Sequence, residues 1–202
     1  MSEETLNAIL KEGMKEFLSH GFPGASLRNI ARNAGVTTGA VYGYYGSKHE
    51  LFDALVKKHY DALMKMYNSS HEAFRNLQPN EQSANVGKIS GECLFSMADY
   101  IYDNYDAFRL ILCCSEGTRY VNMIHEMSEL EIKTTEDFLR VLKESGHEIP
   151  EMDPMLEHML TSGMLTAFFE IFIHNMPRDK AHDYIESLQT FYFAGWKTLM
   201  KI

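Results

Sequence analysis

Thr37, Thr38, Tyr42 and Tyr44 fall close together on what reads as one short helix. Hydroxyl and phenol groups can bond phosphate oxygens and base edges, so the chemistry on offer is recognition of a DNA groove rather than bond making. The helix follows a second one across a tight turn. Ser26 is a candidate N-cap, its hydroxyl able to accept from an orphan amide. Leu27, Ile30, Ala31 and Ala34 then recur at helical spacing. Gly35 ends that helix, because glycine adopts positive φ at low cost. Val36 supplies an apolar anchor and Thr37 the next N-cap. Ala40, Val41 and Tyr44 or Tyr45 give the second helix an inner side, leaving Thr38, Gly39, Tyr42 and Gly43 outward. Two helices with a short Gly-containing connection make a helix-turn-helix, whose second helix enters the major groove. The same pattern also fits a plain αα-hairpin with no nucleic-acid role.

The flanks extend this head. Leu6, Ile9, Leu10, Met14, Phe17 and Leu18 form an apolar stripe on a first helix that should stop at His20-Gly21. Ser47 caps a further helix with Leu51, Phe52, Leu55 and Val56 inward. Lys48 sits at that helix start, where a cation opposes the helix dipole. The placement makes sense if a phosphate lies nearby.

The run from Gly21 to Leu51 reads G-F-x(3)-S-x(3)-I-A-x(2)-A-G-V-T-x-G-x-x-Y-x-Y-Y-x-S-K-x-x-L. It resembles the N-terminal domain of TetR-family regulators, over about the first 55 residues. The resemblance implies an all-α, dimeric protein, usually a repressor released by a ligand. It also implies roles for single residues. Ser26 and Arg28 match positions that touch phosphates. Thr37, Thr38, Gly39 and Ala40 match the start of the recognition helix. Tyr42 matches a tyrosine that bonds the DNA backbone, Tyr44 an aromatic or His at the DNA surface, and Lys48 the lysine opening the fourth helix. Two residues depart from the pattern. Ala25 replaces a frequent Thr, and Gly43 stands where a larger side chain is usual. Gly43 weakens the recognition helix by roughly 0.5–1 kcal/mol relative to Ala and removes one possible base reader.

Composition fits this reading. The chain has 202 residues, 45% of them apolar, enough for a real core in one or two domains. Three cysteines, two adjacent at Cys113-Cys114, do not suggest a disulfide framework. With no secretory leader in the sequence, a reduced cytoplasmic location is expected. No apolar run approaches the ~18 residues of a membrane span, so no membrane partner is expected. The net charge of −9 is unusual for a DNA binder, but residues 1–50 hold five Lys/Arg against five Asp/Glu, and the acidity lies beyond them. A neutral head predicts modest nonspecific affinity and a modest salt slope.

The division expected is a helix-turn-helix domain over 1–46 and a helical effector-binding and dimerisation domain over 47–202, joined by the helix from 47. That helix should run to near Asn68, followed by a polar connection over Asn76–Glu81. Further helices are expected over about Ser83–Asn104, Ala107–Cys114, Arg119–Ser145, Met155–Asn175 and Arg178–Met200. Gly146–Pro154 reads as a loop, with Pro150 and Pro154 as breakers. The last two helices are apolar at 3.6 spacing and invite a four-helix bundle between two copies. The residues named for that homodimer are Met159, Met164, Phe168, Ile171, Leu188, Phe191, Tyr192 and Trp196, with Gly163 and Gly195 permitting close approach.

From residue 60 onward lie eleven of thirteen Met and nine of twelve Phe. Met-rich surfaces adapt to ligands, so a cavity for a small, largely apolar effector is expected between the body helices. Candidate walls are Phe95, Tyr102, Phe108, Cys113, Tyr120, Met123, Met127, Phe168, Phe169 and Phe172, with Glu116, His125 or Glu170 as polar handles. A carboxylate beside aromatics would favour a cationic lipophile; without one, a neutral ligand fits better. The same stripes also describe plain core.

No catalytic residue, metal site or cofactor is expected. His125-Glu126-Met127-Ser128-Glu129 has Glu129 where a zinc helix needs its second His. Nor is there a nucleophile elbow, phosphate loop or dinucleotide fingerprint. The expectation is therefore a ligand-responsive regulator of a palindromic DNA operator, acting as a repressor. Two rivals are a helical enzyme or carrier that keeps a helix-turn-helix-like hairpin, and a DNA-binding regulator with a solid body that answers to a protein.

Overall fold

The computed structural model describes residues 2–85 and 87–201, Ser83 by its backbone only. All regular structure among the described residues is helical. The elements are α1 (Glu3–Gly24), α2 (Leu27–Asn33), α3 (Thr38–Tyr44), α4 (Lys48–Arg75), α5 (Pro79–Asn85), α6 (Lys88–Asp103), α7 (Tyr105–Cys113), a 3-10 turn (Arg119–Asn122), α8 (Met123–Glu144), α9 (Pro154–Ile173) and α10 (Arg178–Met200). They form two compact units, one of residues 1–62 and 103–121, the other of 63–102 and 122–202. The protein is all-α, a helix-turn-helix N-terminus followed by a helical C-terminal region.

In the first unit α1 packs on α2 and α7, and α2 on α3. The core is Ile9, Phe17, Ile30, Val41, Leu51, Phe52 and Phe108, all fully buried. Gly21 (φ 66°) breaks α1 where the sequence places its stop, and a short helical turn carries on to Gly24. The break turns Phe22 inward, against Phe17 and Phe52 at ring distances of 6.0 and 5.3 Å. Its amide donates to the Cys114 carbonyl at 2.8 Å, tying the end of α1 to the end of α7.

The α2–α3 turn closes as a Schellman motif. The Val36 amide donates to the Ala31 carbonyl at 2.9 Å and the Gly35 amide to the Arg32 carbonyl at 3.2 Å, with Gly35 at φ 70°. A Cβ at Gly35 would meet nothing within 4 Å, so only the backbone conformation excludes other residues. Gly35→Ala is therefore expected to destabilise the protein by about 1 kcal/mol, read as a lower urea midpoint with an unchanged slope.

In the second unit α8 packs on α9 and α5, and α9 on α10. Helix α4 runs to Arg75, well past the Asn68 expected. Beyond the weak helix formers Asn68, Ser69 and Ser70, tertiary contacts sustain it. His71 is buried against Glu131 of α8, and Phe74 meets Phe138 edge-on at 5.4 Å. The polar connection is correspondingly shorter than Asn76–Glu81. Pro79 opens α5, a position that needs no amide donor, and Glu81 accepts from the Gln78 amide at 3.0 Å. The expected helix from Ser83 includes Val86, outside the described residues; α6 begins at Lys88.

One sequence expectation is corrected by α9. Its 20 residues include an 18-residue stretch of mean hydropathy 1.2, enough by length and composition to cross a membrane. The interruptions at Glu157, Thr161 and Glu170 hid this from a reading based on unbroken apolar runs. Leu165, Phe168, Phe169, Ile171 and Phe172 are buried within the unit, which accounts for that hydropathy as a core helix.

Candidate nucleic-acid interface

Local capping positions α3. The Thr37 hydroxyl accepts from the Ala40 amide at 3.1 Å, as its place in the turn predicts. Val41 anchors the inner face, and Ala40 is half-buried beside it. The outer face is bare: Gly39, Tyr42 and Gly43 are exposed, Thr38 is half-buried, and nothing lies within 4 Å of where a Gly43 Cβ would stand. Tyr42 is 53% exposed. Thr37 and Arg28 are exposed at the near ends of α3 and α2.

Three of the residues singled out in the sequence are already engaged within the first unit. Ser26 does not cap α2 through its hydroxyl. The buried Glu16 carboxylate of α1 takes that role, accepting from the Ser26 amide at 3.0 Å and from the Asn29 side-chain amide at 3.2 Å. An anion there also suits the positive end of the α2 dipole. Tyr44 is half-buried and donates its phenol to the Ser2 carbonyl at 2.9 Å. Lys48 donates to the Pro23 and Ala25 carbonyls, each at 3.1 Å, and lies over the Phe22 ring at 4.7 Å. Its charge thus serves the carbonyl end of α1, a favourable placement the one-helix argument missed. The start of α4 is capped independently, with the Glu50 amide donating to the Ser47 hydroxyl at 3.1 Å and the Glu50 carboxylate accepting from the Gly46 amide at 2.9 Å.

The second unit contains a cavity of about 150 Å³ walled by α4, α6, α8, α9 and α10. The thirteen body residues expected as effector contacts are not on its wall. Phe108, Tyr120, Met123, Met127, Phe168, Phe169 and Phe172 are buried core. Phe95 and Tyr102 are half-buried, Phe95 beside His182 and Tyr102 donating to the Met176 carbonyl at 2.8 Å. Cys113, Glu116 and His125 are exposed, and Glu170 is paired with His174 at 2.7 Å. The wall instead holds Tyr67, His71, Phe74, Cys93, Glu131, Thr161 and, from the residues named for dimerisation, Met164, Tyr192 and Trp196. One legible signal was available: Tyr67, His71 and Phe74 repeat at helical spacing across Asn68.

Glu131 organises the polar side of the cavity. Its Oε2 accepts from the Tyr67 phenol at 2.7 Å and faces His71 Nε2 at 3.3 Å. Burial pushes this carboxyl upward, but the His71 hydrogen bond and charge and the Tyr67 hydroxyl outweigh it, so the acid is held below its ordinary value. The Tyr67 phenol is pushed well up by burial and by Glu131. A carboxyl depressed in the folded state adds stability above its unfolded value of 4.5, and that stability is lost as pH falls through the folded value. The melting-temperature gap between wild type and Glu131→Gln should accordingly be full at neutral pH and shrink on acidification below 4.5. Parallel melting curves across that range would remove the pair from the stability account.

The residues named for a dimer divide by exposure. Phe168 and Ile171 face the interior of the unit, while Met164, Leu188, Tyr192 and Trp196 are half-buried. Met159 and Phe191 are 62% and 71% exposed, and Met155, Leu156, Tyr184 and Leu199 are exposed with them. Gly195 has open space where its Cβ would be. Within the unit itself, a Cβ at Gly163 would lie 3.4 Å from the Tyr192 hydroxyl oxygen, and one at Gly91 2.9 Å from Gln189 Oε1. Among the described residues no group of three His, Cys, Asp or Glu side chains is placed to hold a metal ion.

Comparison with known proteins bears on the first unit most directly. Residues 9–55 match the family of bacterial regulatory proteins named tetR. Over 55 residues, 27% of this chain, the sequence is 40% identical to the HTH-type transcriptional regulators TtgW and SrpR of Pseudomonas putida. Over 56 residues it is 38% identical to an HTH-type transcriptional repressor of Streptomyces coelicolor. These matches span 41%, 26% and 29% of the respective relatives, well short of their full lengths. Solved structures extend the likeness to the body. A TetR-like transcriptional regulator from Rhodococcus aligns with TM-score 0.60 over 95% of this chain and 96% of its own, at 19% identity. The regulator FadR from Bacillus subtilis, solved in complex with stearoyl-CoA, aligns with TM-score 0.53 over 91% of this chain and 97% of its own, at 12% identity. At such identities the likeness shows a shared fold. Residues 9–55 thus match the tetR family, on a chain that shares its fold with the solved TetR-like regulator.

Proposed function

We propose that this protein is a homodimeric, ligand-responsive transcriptional regulator that represses from a palindromic operator and releases it when a small effector fills the body. The observation that carries the reading is the bare outer face of α3, with Tyr42 more than half exposed, on a domain that matches the family. Thr37, Thr38, Gly39 and Ala40 bring that helix start to the groove. Tyr42 reaches the backbone, while Ser26, whose hydroxyl is not spent on capping, and Arg28 bind phosphates. Tyr44 and Lys48 meet the DNA edge from positions held by their own carbonyl contacts, Lys48 with one ammonium N–H left over.

The exposed apolar row on α9 and α10 supports dimerisation, which would space two recognition helices about 34–36 Å apart for two half-sites. Helix α4 gives the signal a path. It begins at Lys48 and carries Tyr67, His71 and Phe74 in the cavity wall. A ligand that prefers one setting of this helix shifts the population of head spacings, by no more than its differential affinity for the two states. A cavity of about 150 Å³ favours a compact effector over a long acyl chain such as that of the stearoyl-CoA in the Bacillus subtilis structure. Operator binding places the work in the cytoplasm.

The test is selection of fragmented host genomic DNA by the purified protein at about 0.15 M salt, with and without cell extract. A retained palindrome supports the reading. A folded dimer that retains no sequence under either condition would falsify it.

A further inference from the structure

The cavity in the second unit has a polar side that its own side chains do not saturate. Glu131 receives both of its hydrogen-bond partners on Oε2, and Oε1 takes none among the described residues. Across the wall Thr161 is 1% exposed, yet its hydroxyl has no partner. This is not the usual behaviour of a helical threonine. Thr134 returns its hydroxyl to the Leu130 carbonyl at 2.9 Å, and Ser162, the next residue on α9, returns its own to the His158 carbonyl at 2.7 Å. A buried hydroxyl left unpaired costs about 1–3 kcal/mol, a cost that a bound partner removes. Most of the remaining wall is apolar or aromatic, with Phe74, Phe138, Tyr192 and Trp196 around the same space, and its polar members include Ser70, Ser90 and Gln189.

Building on the effector reading above, we infer that the cavity binds a compact organic cation: one aromatic ring bearing a protonated amine, its ammonium on the free oxygen of Glu131 and its ring among Phe74, Phe138 and Trp196. Size sets the ring count, because an apolar space of about 150 Å³ admits roughly one benzene-sized ring. Charge sets the head group. The carboxylate stays ionised, and the phenol and thiol that share the wall, Tyr67 and Cys93, are both pushed up by burial and stay neutral. Besides His71, which is already engaged on Oε2 of Glu131, the basic side chain on the wall is Lys197, an exposed residue whose ammonium lies 5.5 Å over the Phe193 ring. An anion entering past it would meet the Glu131 carboxylate inside. An ammonium gains a charge-assisted hydrogen bond and attraction to the ring faces.

The protein carries its own probe, since Trp196 is its one tryptophan and stands in the cavity wall. Tryptophan emission of the purified full chain would be titrated with 2-phenylethylammonium, with the neutral 2-phenylethanol, and with phenylacetate. Saturable quenching by the amine, with the alcohol at least about tenfold weaker and the carboxylate weaker still, is the expected order. Glu131→Gln should bring the amine to the level of the alcohol, and Thr161→Val should weaken both. Equal binding of amine and alcohol, tighter binding of the carboxylate, or no quenching by any of the three overturns the proposal. The comparison of ligands on the wild-type chain stands even if a variant fails to fold. Because no DNA is present, its failure leaves the operator selection untouched, and a failed selection leaves the quenching order standing.

Discussion

Phe191→Glu is expected to leave the helices folded, turn a dimer into a monomer and cost operator affinity by about 10²–10⁴-fold, the range lost when two linked sites act singly. Phe191 is 71% exposed, and its ring lies edge-on to the neighbouring Tyr192 at 5.3 Å. The fold of one chain thus has little stake in it. Met155, Met159, Tyr184 and Leu199 share its exposure, and in the proposed homodimer this face is covered by its own copy. A carboxylate placed there is desolvated without a partner whenever two copies meet. Sedimentation at matched concentration and circular dichroism separate the outcomes. A variant that stays dimeric moves the interface elsewhere, and a variant that melts early shows that Phe191 serves the monomer.

Tyr42→Ala should weaken operator binding by about 1.5–3 kcal/mol per head, the value of a hydrogen bond to a charged acceptor, and hence by roughly a hundredfold or more for a dimer. Its melting temperature should not move, because Tyr42 is 53% exposed and the buried anchor of α3 is Val41. Lys48→Ala makes a useful contrast. It removes two carbonyl bonds at the end of α1 and the contact over Phe22, so a lower melting temperature should accompany any loss of DNA affinity. Gel-shift titration over a salt series distinguishes the two. Loss of stability in Tyr42→Ala, or unaltered affinity, would remove the phenol from the interface.

The head was legible because its signals are local. Gly35 at positive φ, the Thr37 cap, the break at Gly21 and the inward Val41 each follow from residues within one turn of themselves. The same local logic misread Ser26, whose capping role is taken by Glu16 from ten residues upstream, and Lys48, whose charge answers carbonyls of another helix. Neither partnership has a sequence spacing that a helical period would flag. The end of α4 was missed for a related reason. Asn68, Ser69 and Ser70 read as a stop, but His71 and Phe74 hold the helix through Glu131 and Phe138, more than fifty residues away.

The body shows where such reading ends. Met and aromatic stripes marked the helices that pack, and α9 and α10 lie within a few residues of the spans expected. They did not say which side chains would close the core and which would stand around a void. Phe168 and Phe172 fill space, whereas Trp196 and Tyr192, of the same chemical kind, border it. By itself the sequence determined the helical class, the helix-turn-helix and its outward face, because periodicity, caps and positive-φ glycines act within a few residues. Only the tertiary structure decided the cavity, the engaged state of Lys48 and Tyr44, and the exposed row on α9 and α10. Each of these depends on how helices distant in sequence share volume, and helical spacing carries no record of that.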